Sequence, residues 1–186
     1  MKLRLPLLIA IPLLPLLATA GDRLSEKRLQ QIVAMPHDDK LKEPALEIYP
    51  KARAYDITIS TTHDGRTIVA KATATEKRVA GKYIVSEAQA EDQEEKFAMV
   101  VEFDPESQRY RKYLLMEGKL SGYREGVRCP DTRAIAWIDL TRHMVRSETD
   151  QLSTETHSDS GSTWSSVLYN KGVVEVTETG VAKVTK

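Results

Sequence analysis

Apolar side chains divide the chain into three regions. Residues 5–17 are almost wholly apolar. From Asp22 to Met35, Leu24, Leu29, Ile32 and Val33 fall near one face of a helix and Pro36 stops it, which predicts one short amphipathic helix. Residues 37–50 are charged and bounded by prolines, and read as a linker or a lid over something. Past Lys51 no helical period lasts more than two turns. Short runs rich in Val, Ile, Thr and Tyr alternate with Gly and polar clusters.

Alternation lays these runs out as strands. Tyr55, Ile57 and Ile59 share one face, and His63-Asp64-Gly65-Arg66 is an Asp-Gly hairpin turn into Thr67–Lys77. Lys82–Ala90 follows Ala80-Gly81. Phe97, Met99, Val101 and Phe103 then mark one face of the next strand, which ends at the turn Asp104-Pro105-Glu106-Ser107. In Arg109–Glu117, Tyr110, Leu114 and Met116 lie on one face, with Tyr113 and Leu115 on the other. Leu120–Val127, Arg133–Leu140, Met144–Gln151, Ser153–Ser158, Trp164–Tyr169, Val173–Thr177 and Val181–Thr185 complete the series. About ten or eleven strands joined by tight turns form an antiparallel meander, and closure removes its exposed edges. The predicted fold is an antiparallel up-and-down β-barrel over residues 51–186, preceded by one helix; a Greek-key sandwich needs longer loops.

Composition changes this picture in two ways. Lys2 and Arg4, the apolar run and the small-residue site Ala18-Thr19-Ala20 make residues 1–20 a signal peptide. That run is too short, and too broken by Pro6, Pro12 and Pro15, to span a bilayer, so stable membrane insertion is not expected after cleavage. No Cys follows the cleavage site, which argues against a lipoprotein, and the expected location is periplasmic or extracellular. The leader takes two of the 27 basic side chains and none of the 27 acidic ones, leaving a balance of 25 to 27 that favours neither nucleic acid nor anionic membrane. The lone Cys129 cannot close an intramolecular disulfide and reads as a half-buried bystander in a turn.

The segment Gly81-Lys82-Tyr83-Ile84-Val85-Ser86-Glu87, the hairpin from Phe97 through Phe103-Asp104-Pro105-Glu106-Ser107-Gln108-Arg109-Tyr110, and the Trp-bearing run Ala134-Ile135-Ala136-Trp137-Ile138-Asp139 together resemble a bacterial family. It is the lipocalin-like family called domain of unknown function 1579. The resemblance covers roughly residues 80–140, and more loosely 51–186. Ala54-Tyr55-Asp56 stands where the family has a Gly-x-Trp strand. The resemblance implies a calycin-type barrel and no settled function.

No catalytic motif stands out. His37-Asp38-Asp39 is the densest potential metal cluster, but it lies in a charged loop, whereas zinc needs ligands on ordered backbone. A haem would need a lumen-facing imidazole such as His143 or His157; the latter sits in a Thr/Ser/Asp-rich run that reads as wet. His63-Asp64 and His157 with Asp159 read as solvated turn residues, and the hydroxyls of Ser153–Ser166 as a solvent-facing strand pair. Arg109, Arg111 and Lys112 form a basic strand with Tyr110 and Tyr113, either a solvated face or a contact for an anionic head group. Neither enzyme chemistry nor a cofactor is expected.

The remaining signal is aromatic. Tyr83, Phe97, Phe103, Tyr110, Tyr113, Tyr123, Trp137 and Trp164 spread over at least six strands, and would line a ligand cavity if their phases agreed or fill a solid core if not. The candidate ligand-binding residues are therefore Tyr83, Phe97, Tyr110, Tyr113, Tyr123, Trp137 and Trp164. The expected function is a non-enzymatic carrier of a small hydrophobic or amphiphilic ligand; the alternative is an interaction or envelope-structural module with a solid barrel.

Overall fold

The computed structural model describes residues 23–51, 54–92, 94–141 and 149–185; the predicted signal peptide and His143 lie outside them. Ten strands, β1 Ala54–His63, β2 Arg66–Val79, β3 Tyr83–Ala90, β4 Lys96–Asp104, β5 Arg109–Met116, β6 Lys119–Arg128, β7 Ala134–Asp139, β8 Thr149–Ser158, β9 Gly161–Asn170 and β10 Val173–Val184, pair antiparallel in sequence order. Strand β1 pairs with β10, so the sheet closes into a lipocalin-like up-and-down barrel without a free edge. Asp64-Gly65, Ala80-Gly81, Glu117-Gly118 and Lys171-Gly172 turn four of the hairpins with both residues at positive φ, the type I′ geometry that matches strand twist.

Two departures from the predicted strands have physical causes. Val173–Thr177 and Val181–Thr185 are one continuous strand, because Gly180 is not a turn residue: it sits in register opposite Trp164. The run Ser153–Ser166 is not solvent-facing throughout. Closure turns Ser153, Glu155 and His157 into the lumen, while Thr154 and Thr156 face out.

Helix α1, Glu26–Ala34, is capped by Ser25 Oγ, which accepts from Arg28 N. It lies on the outside of the barrel. Its buried Leu29 and Ile32 pack on Tyr83, Val85, Val100, Tyr113, Leu115 and Tyr123, the outward side chains of β3–β6. Glu26 and Gln30 fasten it near the β5–β6 turn, accepting from Leu120 N at 2.9 Å and donating to Gly118 O at 2.7 Å.

After Pro36 the chain crosses one end of the barrel. Residues 37–50 are a plug rather than a solvated linker: Leu46, Ile48 and Tyr49, in and just after the 3₁₀ turn Pro44–Ile48, are buried against Ile84, Val101, Tyr110, Ile135 and Trp137. Lys42 N and Glu43 N donate to Gly81 O, Tyr110 Oη donates to Ala45 O at 2.8 Å, and Arg133 holds Ile48 O. The space next to Gly81 is filled by this plug: a methyl there would lie 2.9 Å from Lys42 Cγ.

Candidate functional site

Between the plug and the middle of the barrel lies a cavity of about 200 Å³. Strand alternation builds it. One wall is mainly apolar, formed by Ile57 and Ile59 of β1, Ala88 of β3, Phe97 and Met99 of β4, and Trp164 of β9, with the carboxyls of Glu76 on β2 and Glu178 on β10 among them. The opposite wall is polar, with Lys112 of β5, Arg124 of β6, and Glu155 and His157 of β8 around Trp137; Tyr49 and Pro50 of the plug close the end.

The aromatic phases agree only in part. Phe97, Trp137 and Trp164 line the cavity. Tyr110 and Phe103 also point inward but are taken up by the plug core, with their rings edge to face at 5.0 Å. Tyr83, Tyr113 and Tyr123 point the other way, beneath α1, so these three expected ligand contacts are corrected to helix-packing residues. Their parity explains it: Tyr110 and Tyr113 are three residues apart on one strand and cannot share a face. Tyr113 Oη donates to Glu102 and accepts from Leu24 N, Tyr123 Oη donates to Glu125, and the Arg23 guanidinium lies over the Tyr123 ring.

The basic strand divides in the same way. Arg111 faces outward and binds Asp104 at 2.6 Å, whereas Lys112 enters the lumen and pairs with Glu155. Both are buried, and the half-buried Arg109 pairs with Glu125 at 2.8 Å, so each cation of this strand is engaged by a carboxylate of the barrel rather than set on a solvated face. Burial opposes the charge on Glu155, yet the Lys112 ammonium, helped by His157 and Arg124, holds its carboxyl well below the usual carboxylate range. Trp137 Nε1 donates to the same carboxylate at 3.1 Å, and the Lys112 ammonium lies 4.3 Å from the Trp137 ring centroid. Beside them Arg124 pairs with Asp139 and donates to Gln151, whose amide donates to Ser166.

On the β2–β3 side Glu76 is held by Ser86 Oγ at 3.3 Å and Tyr55 Oη at 3.5 Å. Burial pushes its carboxyl up to about 8 against these hydrogen bonds. His157, expected to be wet, is 4 % exposed, and its ring lies 4.2 Å from that of Tyr49. Burial lowers its pKa, so the imidazole is neutral at pH 7. Both its nitrogens, and Tyr49 Oη, are buried without a hydrogen-bond partner; Nε2 is 3.8 Å from Glu155 Oε1.

Glu76, Lys112, Arg124, Glu155 and His157 carried no signal as a set. Lys112 and Glu155 are on strands β5 and β8, which do not pair with each other. His37 of the acidic loop ties the plug to the barrel instead, accepting from Arg78 N at 3.2 Å. His63 and Asp64 do lie exposed at a hairpin tip. Compared with known proteins, the chain matches no protein-family model and no curated sequence.

Proposed function

We propose that this protein is an exported, non-enzymatic binder or carrier of a small hydrophobic or amphiphilic molecule held in the barrel lumen. The observation that carries the reading is the cavity of about 200 Å³, apolar on one wall and polar on the other, beneath a plug built from the chain's own residues 37–50. An engineered apolar cavity of about 150 Å³ takes up benzene, so this volume suits one or two fused rings or a short chain. The solid-barrel module needs interlocking side chains where this lumen holds space. Export rests on the features of residues 1–20, and membership of the family resembled by residues 80–140 belongs to the same proposal.

Native mass spectrometry of the 21–186 protein, purified from an exporting host and extracted with solvent, tests this reading. A discrete bound mass of a few hundred daltons or less that leaves on denaturation is expected. A protein that stays unliganded through panels of apolar and amphiphilic compounds overturns it.

A further inference from the structure

Resting on the carrier reading, we propose that the ligand is an uncharged molecule of one or two rings bearing a hydroxyl or similar hydrogen-bonding group, and that the cavity refuses carboxylates and other anions.

The argument begins with the cations. Among the described residues the lining holds two, Lys112 and Arg124, and each is already committed, to Glu155 and to Asp139 with Gln151. An entering carboxylate would have to displace Glu155 or Asp139, or lie in the lumen with its charge desolvated and unpaired. Of the lining carboxyls, Glu178, which accepts from Trp164 Nε1 at 2.9 Å, repels it. With a pKa of about 8, Glu76 is mostly uncharged at pH 7, so it supplies no cation for an anion to pair with.

Polar capacity is left over in neutral form only. Tyr49 and His157 line the cavity at its plug end, are each 4 % exposed, and bring three hydrogen-bonding atoms there without a partner. A buried polar atom without a partner has lost its hydrogen bonds to water, so a hydroxyl or amide that reaches these atoms restores them. The far wall, Ile57, Ile59, Phe97, Met99 and Trp164, offers a ligand body mainly apolar and aromatic contact; the carboxyls of Glu178 and Glu76 on that side already accept from Trp164 Nε1 and from Ser86 and Tyr55. The two walls together therefore select a flat apolar body with a neutral polar end, and size limits it to a ring system rather than a long-chain lipid.

Three probes of one shape test this on the 21–186 protein at pH 7: 2-naphthol, naphthalene and 2-naphthoate, with binding followed by calorimetry or by ligand-observed NMR. The expected order is 2-naphthol, then naphthalene, then 2-naphthoate, with at least tenfold between first and last. Tyr49→Phe should weaken 2-naphthol about threefold to tenfold and leave naphthalene unchanged. Glu155→Gln, which frees the Lys112 ammonium, should raise 2-naphthoate affinity at least tenfold; if that variant does not fold, the wild-type order decides alone. Equal or tighter binding of 2-naphthoate by the wild type overturns the neutral-ligand inference and leaves the carrier reading standing. Equal binding of naphthalene and 2-naphthol overturns the hydrogen-bonding end. No binding of any probe counts against the carrier reading itself, and takes this inference with it.

Discussion

The indole of Trp164 lies across Gly180, its directly paired neighbour on β10, so closely that a methyl on Gly180 would sit 1.9 Å from Trp164 Cζ2. The pairing of Trp137 with Gly126 repeats the device: a methyl on Gly126 would lie 2.6 Å from Trp137 Cε3. Each glycine leaves room for a large ring to lie over the adjoining strand, and so sets how far that ring reaches into the lumen. Gly180→Ala should cost about 1–3 kcal/mol through overpacking and drive Trp164 toward the cavity. Thermal unfolding with tryptophan emission checks this; an unchanged midpoint and spectrum would show that the indole does not rest there.

Lys112 and Glu155 should behave as a unit. Removing one charge leaves the other buried and unpaired, so Lys112→Met alone should cost about 3–5 kcal/mol. The double variant Lys112→Met/Glu155→Gln should recover most of that loss, since Gln keeps an acceptor for Trp137 Nε1. Denaturant titrations of the four-member cycle measure the coupling. Additive single losses would show that the two charges do not meet across the lumen.

Glu76 makes stability depend on pH. Its folded pKa of about 8 lies above the ordinary 4.5, so the folded protein keeps a proton that the unfolded chain has lost. The resulting stability is fully present below pH 4.5 and declines as pH rises to 8, by at most about 1.4 kcal/mol per unit. In Glu76→Gln this decline should vanish, so the variant's melting temperature should gain on the wild type steadily between those values. Parallel curves would show the carboxyl to be ionised in the folded barrel.

The two N-terminal elements should separate stability from binding. Ile32→Ala under α1 should cost about 2–5 kcal/mol by opening space over Tyr113 and Tyr123, without changing affinity for a lumen ligand. Leu46→Ala in the plug should cost a similar amount and also weaken binding, because Leu46 supports Tyr49 and Trp137. Measured midpoints and dissociation constants for both variants check the division. A binding defect in Ile32→Ala would place the helix at the cavity.

The sequence determined the barrel. Alternating runs at short, even spacing and Asp-Gly or Ala-Gly turns leave an antiparallel meander little choice but to close on itself, and the helix preceding it follows from Leu24, Leu29, Ile32 and Val33. Phe97, Trp137 and Trp164 were legible as cavity residues because each is a large ring on a strand. Which face of each strand turned inward was decided by the tertiary structure. In Tyr83-Ile84-Val85 and again in Tyr110-Arg111-Lys112-Tyr113 every residue is buried, because the barrel lumen covers one face and α1 or the outer ion pairs cover the other. Alternation has no sign where both faces are apolar or covered, so it set Tyr110 and Tyr113 on opposite faces without saying which of them turned inward. The polar wall was hidden for a related reason. Closure brings β5 and β8 across the lumen from each other, 43 residues apart between Lys112 and Glu155, and only in that enclosed space do a lysine, two glutamates and a histidine acquire the pairings and shifted acidities that define the site.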